Sequence, residues 1–192
     1  MELHKLGVKF FLRQPADLDP DELIPIYHRW IQEGALEAIL IDVADYSHVP
    51  GGPGTMLISH EANYALDASD GRPGLLYMRK QPFEGADRLE DRITGAVKAA
   101  IEAGRRLENE DSLKGRIEFA GEEMVFIAND RLQAPNNEQT ASALETALLG
   151  VLTAMWGQAP VTTETKTEAR APSTITARTT SPRSLSSLLK GL

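Results

Sequence analysis

At 192 residues, with 42% hydrophobic and 25% charged side chains, the chain has the size of one domain plus an appendage and the composition of a globular protein. It holds no apolar run long enough to span a membrane and no basic-then-apolar leader, and having no cysteine it can form neither disulfides nor thiolate metal sites nor a cysteine nucleophile. Its net charge of −8 is uneven: five basic residues against two acids from residue 158 onward leave −11 on residues 1–157, an acidic body that repels a nucleic-acid backbone.

These bounds lead to the expectation of a cytoplasmic protein with no nucleic-acid partner and no membrane span. In chain order, "LHKLGVKFFL" (3–12) alternates, with Leu6, Val8, Phe10 and Leu12 on one side, and predicts a first strand. In "DPDELIPIYHRWIQEG" (19–34), Asp19 suits an N-cap, Pro20 the first helical position and Glu22 the return arm of a capping box. Leu23, Ile26, Tyr27, Trp30 and Ile31 then recur at helical spacing up to Gly34.

"EAILIDVAD" (37–45) predicts a second strand, "GTMLISHEANYALD" (54–67) a third, and "PGLLYMRK" (73–80) a fourth after the turn at Asp70-Gly71. Short Gly, Pro and Asp turns make these an antiparallel meander. Leu89, Ile93, Val97, Ala100, Ile101, Gly104 and Leu107 mark the stripe of a second helix, and "GRIEFAGEEMVFIAND" (115–130) predicts a hairpin turning at Gly121-Glu122. A third helix follows, with Leu144, Leu148, Val151, Leu152 and Met155 on its buried side. The order β-α-β-β-β-α-β-β-α defines an α+β fold over residues 1–157, a mainly antiparallel sheet packed with about three helices.

Past Gly157 the texture changes. Residues 158–180 are rich in Thr, Ser and Pro without apolar periodicity, which predicts a flexible, disordered linker. Within residues 181–192, Leu185, Leu188, Leu189 and Leu192 fall at i, i+3, i+4 and i+7, the pattern of a short amphipathic peptide that docks on a protein partner.

The candidate chemistry gathers around "HVPGGPG" (48–54) and the strand after it. On a continuous strand, His60 and Glu61 point to opposite sides, with His60 on the face of Met56, Ile58 and Tyr64, where a core histidine is the plainest reading. Asp42 or Asp45, His48 and His60 or Glu61 can instead converge across neighbouring strands. Two imidazoles and a carboxylate suit zinc, manganese or non-haem iron(II), and His with Asp suits general acid-base work. Which cofactor, if any, the sequence leaves open. Gly51 and Gly52, with Asn63, form a candidate ligand rim, although the loop lacks the spacing and lysine of a phosphate loop and reads first as a structured connection. His28 and Arg29 border the first helix's apolar stripe, either as an anion site or as a solvated edge, and Asn129 and Asp130 carry ordinary turn chemistry.

Two stretches carry a resemblance. With "VKFF", "HRWIQEG", "DVADYSHVPGGPG" and "SHEANYALD", residues 4–157 resemble a family of uncharacterised bacterial proteins, a likeness that implies no activity. "SLSSLLKG" at the end resembles the C-terminal targeting peptides of encapsulin cargo, departing from them where "SSLL" replaces the usual glycine spacing. It implies docking on a protein shell after a flexible tether. The leading functional expectation is therefore a non-enzymatic accessory or binding protein whose tail docks on a partner. The alternatives are a metal- or histidine-dependent enzyme and a small-ligand-binding module, each with its site in residues 45–63.

Overall fold

Asp19 and Glu22 close the expected capping box: the Asp19 side chain accepts from the Asp21 N–H and Glu22 from the Asp19 N–H, both at 3.1 Å. The computed structural model of the protein describes residues 1–16, 18–166 and 171–192. In it the capped 3-10 turn Pro20–Glu22 leads directly into helix α1 (Leu23–Glu33), which Gly34 ends at φ 60°. Pro25 falls in the first turn of α1, where its missing N–H interrupts no intrahelical bond.

Among the described residues the elements are β1 (Leu6–Leu12), α1, β2 (Leu40–Tyr46), β3 (Gly54–Ser59), β4 (Ala62–Asp67), β5 (Gly74–Arg79), α2 (Leu89–Glu108), β6 (Phe119–Ala128), α3 (Glu138–Trp156), β7 (Val161–Lys166), β8 (Ser173–Thr179) and α4 (Leu185–Leu188). The strands form one sheet in the order β2-β3-β4-β5-β1-β6-β8-β7, every pair antiparallel. The fold is α+β. None of the described helices is long and apolar enough to cross a membrane.

One alternating set of strand residues, including Val8, Phe10, Leu57, Tyr77, Phe126 and Ile175, joins the apolar stripes of the helices in a single core. The other set gives the sheet's second face mostly half-buried side chains, with Phe11, Ala65 and a Lys9–Asp67 ion pair buried among the described residues. Lys9 there is 3% exposed and donates to Asp67 and Asp70, each at 2.7 Å.

Three expected features fold differently. The third strand breaks in two because the Ser59 hydroxyl accepts from the Ala62 N–H and donates to the Ala62 carbonyl, both at 2.9 Å, reversing the chain at His60-Glu61. The expected hairpin at Gly121 is one unbroken strand, β6. That glycine serves a close approach instead: a Cβ there would lie 2.5 Å from the Arg183 carbonyl oxygen, which accepts from the Gly121 N–H at 3.1 Å.

The expected linker over 158–180 is largely a β-hairpin, of which residues 167–170 lie outside the described part. Ser173, Ile175, Ala177 and Thr179 alternate inward along β8, setting Ile175 opposite Phe126 and Ala177 opposite Met124. Threonine-rich segments favour strands when a half-buried sheet edge is present to receive them, and β6 supplies that edge.

Carboxylates paired across the sheet and its loops make the fold acid-sensitive. The Glu22 carboxyl is lowered to about 2, chiefly by hydrogen bonds from Arg116 and also by the Asp19 N–H. Glu123 is held below its ordinary range by Arg72, against burial and with help from Arg178. A lowered folded-state pKa contributes stability that is complete above the unfolded carboxyl value of about 4.3 and disappears as pH falls through the folded one. The thermal midpoint is expected to hold steady from pH 7 to about 5 and to fall progressively between about 4.5 and 2. Midpoints unchanged across that acid window would contradict the assignment.

Candidate functional site

The β2-β3 hairpin decides which candidate residues can meet. Tyr46 pairs with Gly54 at one end and Leu40 with Ser59 at the other. Asp45, His48, Gly51 and Gly52 therefore sit at the loop end, while His60 and Glu61 follow Ser59 at the opposite end. Across the six residues of β3, at ~3.3 Å each, the two groups stand on the order of 20 Å apart. The expected convergence of Asp45 and His48 with His60 and Glu61 does not form. Asp42, beside Ile58, gives an oxygen to the Val43 N–H at 2.8 Å. Among the described residues no group of three or more His, Asp or Glu side chains is placed to hold a metal ion.

The glycine-proline loop is a structured connection. Asp45 accepts from the Ser47 N–H at 2.8 Å, and hydrogen bonds from Ser47 hold its carboxyl below the usual range. The Val49 N–H reaches the Tyr46 carbonyl at 3.0 Å and the Gly52 N–H the Val49 carbonyl at 2.9 Å, with Gly51 at φ 69° between them. His48 is left exposed. Asn63 lies in β4 opposite Ile58 and Met78, near the far end of the hairpin, so Gly51, Gly52 and Asn63 do not share one rim. Arg29 forms an ion pair with Glu110, and Asp130 caps the Leu132 and Gln133 N–H groups at 3.1 and 3.2 Å.

The reversal at Ser59 brings together what an unbroken strand would have separated. His60, exposed rather than buried in the core, and Glu61 both line one cleft of about 920 Å³. Its walls are the 36–39 segment before β2, the β5-α2 connection and one face of α2, with Leu189 from the C-terminal segment closing a side. Gly95, Lys98, Ala99 and Glu102 fall at i, i+3, i+4 and i+7 on α2, so one helix face contributes two small residues and two charges. Gly95 admits the Phe83 ring, which would lie 2.9 Å from a Cβ there, and Ala99 is the small residue beside the open space.

The floor is a pair of tyrosines. Tyr64 and Tyr77 are register partners across β4 and β5, and their rings meet edge to face with centroids 5.2 Å apart. Burial pushes both phenols up; at Tyr77 a hydrogen bond with Arg79 opposes the shift. The Tyr64 side chain has no hydrogen-bond partner among the described residues, although the residue is only 3% exposed and lines the cleft.

Two rim groups are already engaged. Arg79 donates to the Gln81 carbonyl at 2.7 Å and the Pro82 carbonyl at 2.8 Å, with its guanidinium 4.1 Å from the Phe83 ring centroid. Glu61 accepts from the Ile39 N–H at 3.1 Å. Burial pushes the Glu61 carboxyl up, but bonds from backbone N–H groups outweigh it and leave the group below its ordinary range. It is an anion at neutral pH.

The tail also departs from expectation. Leu185 and Leu188, expected to bind a partner, are fully buried against the chain's own α2 and β6. Leu185 rests on Gly104, where a Cβ would come within 2.5 Å of the leucine methyl. Leu189 and Leu192 are half-buried and pack against the same core. The four-leucine face is real, and the body supplies its partner.

The sequence singled out His60 and Glu61, as partners of Asp45 and His48, and not Tyr64, Tyr77, Ala99 or Glu102, which line the same cleft. Their signal was partly visible: 95, 98, 99 and 102 adjoin the second helix's apolar stripe, and two of them are small. Nothing local, however, reveals that Tyr64 and Tyr77 are register partners. No protein family, curated protein or solved structure matches the chain.

Proposed function

We propose that the protein is a non-enzymatic binding module that holds a small organic molecule in the cleft between α2 and the β4-β5 surface. The cleft of about 920 Å³, floored by a buried tyrosine pair, carries this reading. Small-molecule sites occupy ~300–1,000 Å³, with apolar and aromatic walls and a few fixed polar groups. Leu36, Phe83, Ala99 and Leu189 supply the apolar walls here, and Tyr64, Glu61 and Glu102 the polar groups. Arg79 and Glu61 spend hydrogen bonds on the backbone that shapes the cleft, a role in positioning rather than in moving protons.

A tail that docks on a separate protein, such as an enclosing shell, is the weaker reading. Leu185 and Leu188 would first have to leave the core, at about 2–5 kcal/mol each.

Titration with a panel of fragment-sized aromatic and aliphatic molecules, followed by amide NMR shifts, tests the cleft. Saturable shifts are expected to cluster at Tyr64, Tyr77, Ala99 and Leu189, and Ala99→Trp, which fills the space from the half-buried face of α2, should remove them. Shifts clustering elsewhere, or surviving that substitution, would contradict the reading.

A further inference from the structure

Resting on the cleft as a ligand site, we propose that its ligand is an organic amine bound as the cation, with its ammonium on the Tyr64 hydroxyl between Glu61 and Glu102 and its apolar body along Tyr77, Phe83 and Leu189. Three independent observations converge on this. The first is the Tyr64 side chain, almost fully buried and lining the cleft without a hydrogen-bond partner among the described residues. Its hydroxyl opens onto the cleft, so the phenol oxygen is available to a ligand's donor.

The second is the sign of the charge around that hydroxyl. Glu37, Glu61, Glu84 and Glu102 line the cleft against Lys98 and Arg79, with His60 at the edge. Arg79 is held by two carbonyls and the Phe83 ring, and Lys98 projects from the exposed side of α2, one turn before Glu102. The groups whose charge reaches Tyr64 include Glu61 and Glu102 on the acidic side and Arg79 on the basic one. An ammonium here would meet two opposite charges, Glu61 and Glu102, against one like charge, Arg79, and an incoming carboxylate the reverse.

The third is the floor itself. The edge-to-face pair offers a π surface within the cleft, and aromatic faces attract cations most strongly where water is excluded. An ammonium can donate one N–H to the phenol oxygen and others towards the carboxylates, leaving the aromatic and aliphatic walls to its carbon skeleton.

Phenethylamine, phenethyl alcohol and hydrocinnamate place an ammonium, a hydroxyl and a carboxylate on similar apolar bodies. Calorimetry with the full chain at neutral pH, with amide NMR shifts to locate binding, is expected to show the amine binding about tenfold more tightly than the alcohol and the carboxylate more weakly than both. Glu102→Gln, at an exposed position, should bring the amine to within about twofold of the alcohol. Tyr64→Phe, which removes the phenol oxygen, should weaken the amine as well. An alcohol or carboxylate that binds the cleft as tightly as the amine would overturn the ammonium assignment while leaving the cleft reading intact. Absence of shifts at Tyr64 and Tyr77 with all three probes would overturn both.

Discussion

Deletion of residues 181–192 will destabilise the body by about 4–10 kcal/mol, the sum of two core leucines at ~2–5 kcal/mol each, a loss comparable to the whole stability of an ordinary domain. Leu185 and Leu188 are wholly buried between α2 and β6, and the body has glycines where the segment comes closest. A Cβ at Gly104 would strike Leu185, and one at Gly121 the Arg183 backbone. Polar contacts fix the same register: the Arg183 N–H reaches Glu122 at 3.3 Å and the Arg183 guanidinium the Trp156 carbonyl at 3.2 Å. Leu185→Ala alone should cost ~2–5 kcal/mol in urea unfolding, with little change in the slope. A truncated chain with an unchanged urea midpoint would show that the segment is an appendage after all.

Lys9→Met will cost about 3–5 kcal/mol, because it strands the Asp67 carboxylate in the sheet's second face. The Lys9 and Asp67 side chains are 4% and 5% exposed and only 2.7 Å apart; Asp70, the lysine's other partner, is 48% exposed and can turn to water. Removing the lysine removes the only cation bonded to the buried acid among the described residues, whereas removing both charges leaves nothing stranded. The double variant Lys9→Met, Asp67→Leu is therefore expected to recover much of the loss, a non-additivity that a double-mutant cycle in urea reads directly. Strict additivity would mean that the pair contributes no coupling.

What the sequence made legible follows from how local each signal is. The alternation of β1, the capping box at Asp19 and Glu22, and the stripes of α1, α2 and α3 depend on residues a few positions apart, and all are found. The hairpin of β7 and β8 was hidden because its inward positions are mostly Thr, Ser and Ala; Val161 and Ile175 alone signal a core, and burial of Ile175 depends on β6 nearly fifty residues earlier. Gly121 was misread as a turn because a glycine that admits a distant backbone looks the same in sequence as one that reverses the chain.

The candidate site was half legible for the same reason. His60 and Glu61 stood out by composition; the Ser59 bonds to Ala62 that turn them towards one cleft are local but lie inside a run that reads as one strand, and the register that sets Tyr64 against Tyr77 is a tertiary fact. His48 drew equal attention, and the antiparallel pairing of β2 with β3 carried it to the far end of the hairpin. The leucine spacing was read as a face that docks on a separate protein, whereas Leu185 and Leu188 pack into the chain's own core. What it docks on is the helix that also walls the cleft, so Leu189 links the C-terminal segment to the site.

The most direct measurement is an amide NMR titration of the full-length protein with phenethylamine, run in parallel on Ala99→Trp. Saturable shifts are expected at Tyr64, Tyr77, Glu102 and Leu189 in the native chain, with their loss in the variant. Identical titration curves for the two proteins, or native-chain shifts centred on the His48 loop, would contradict that expectation.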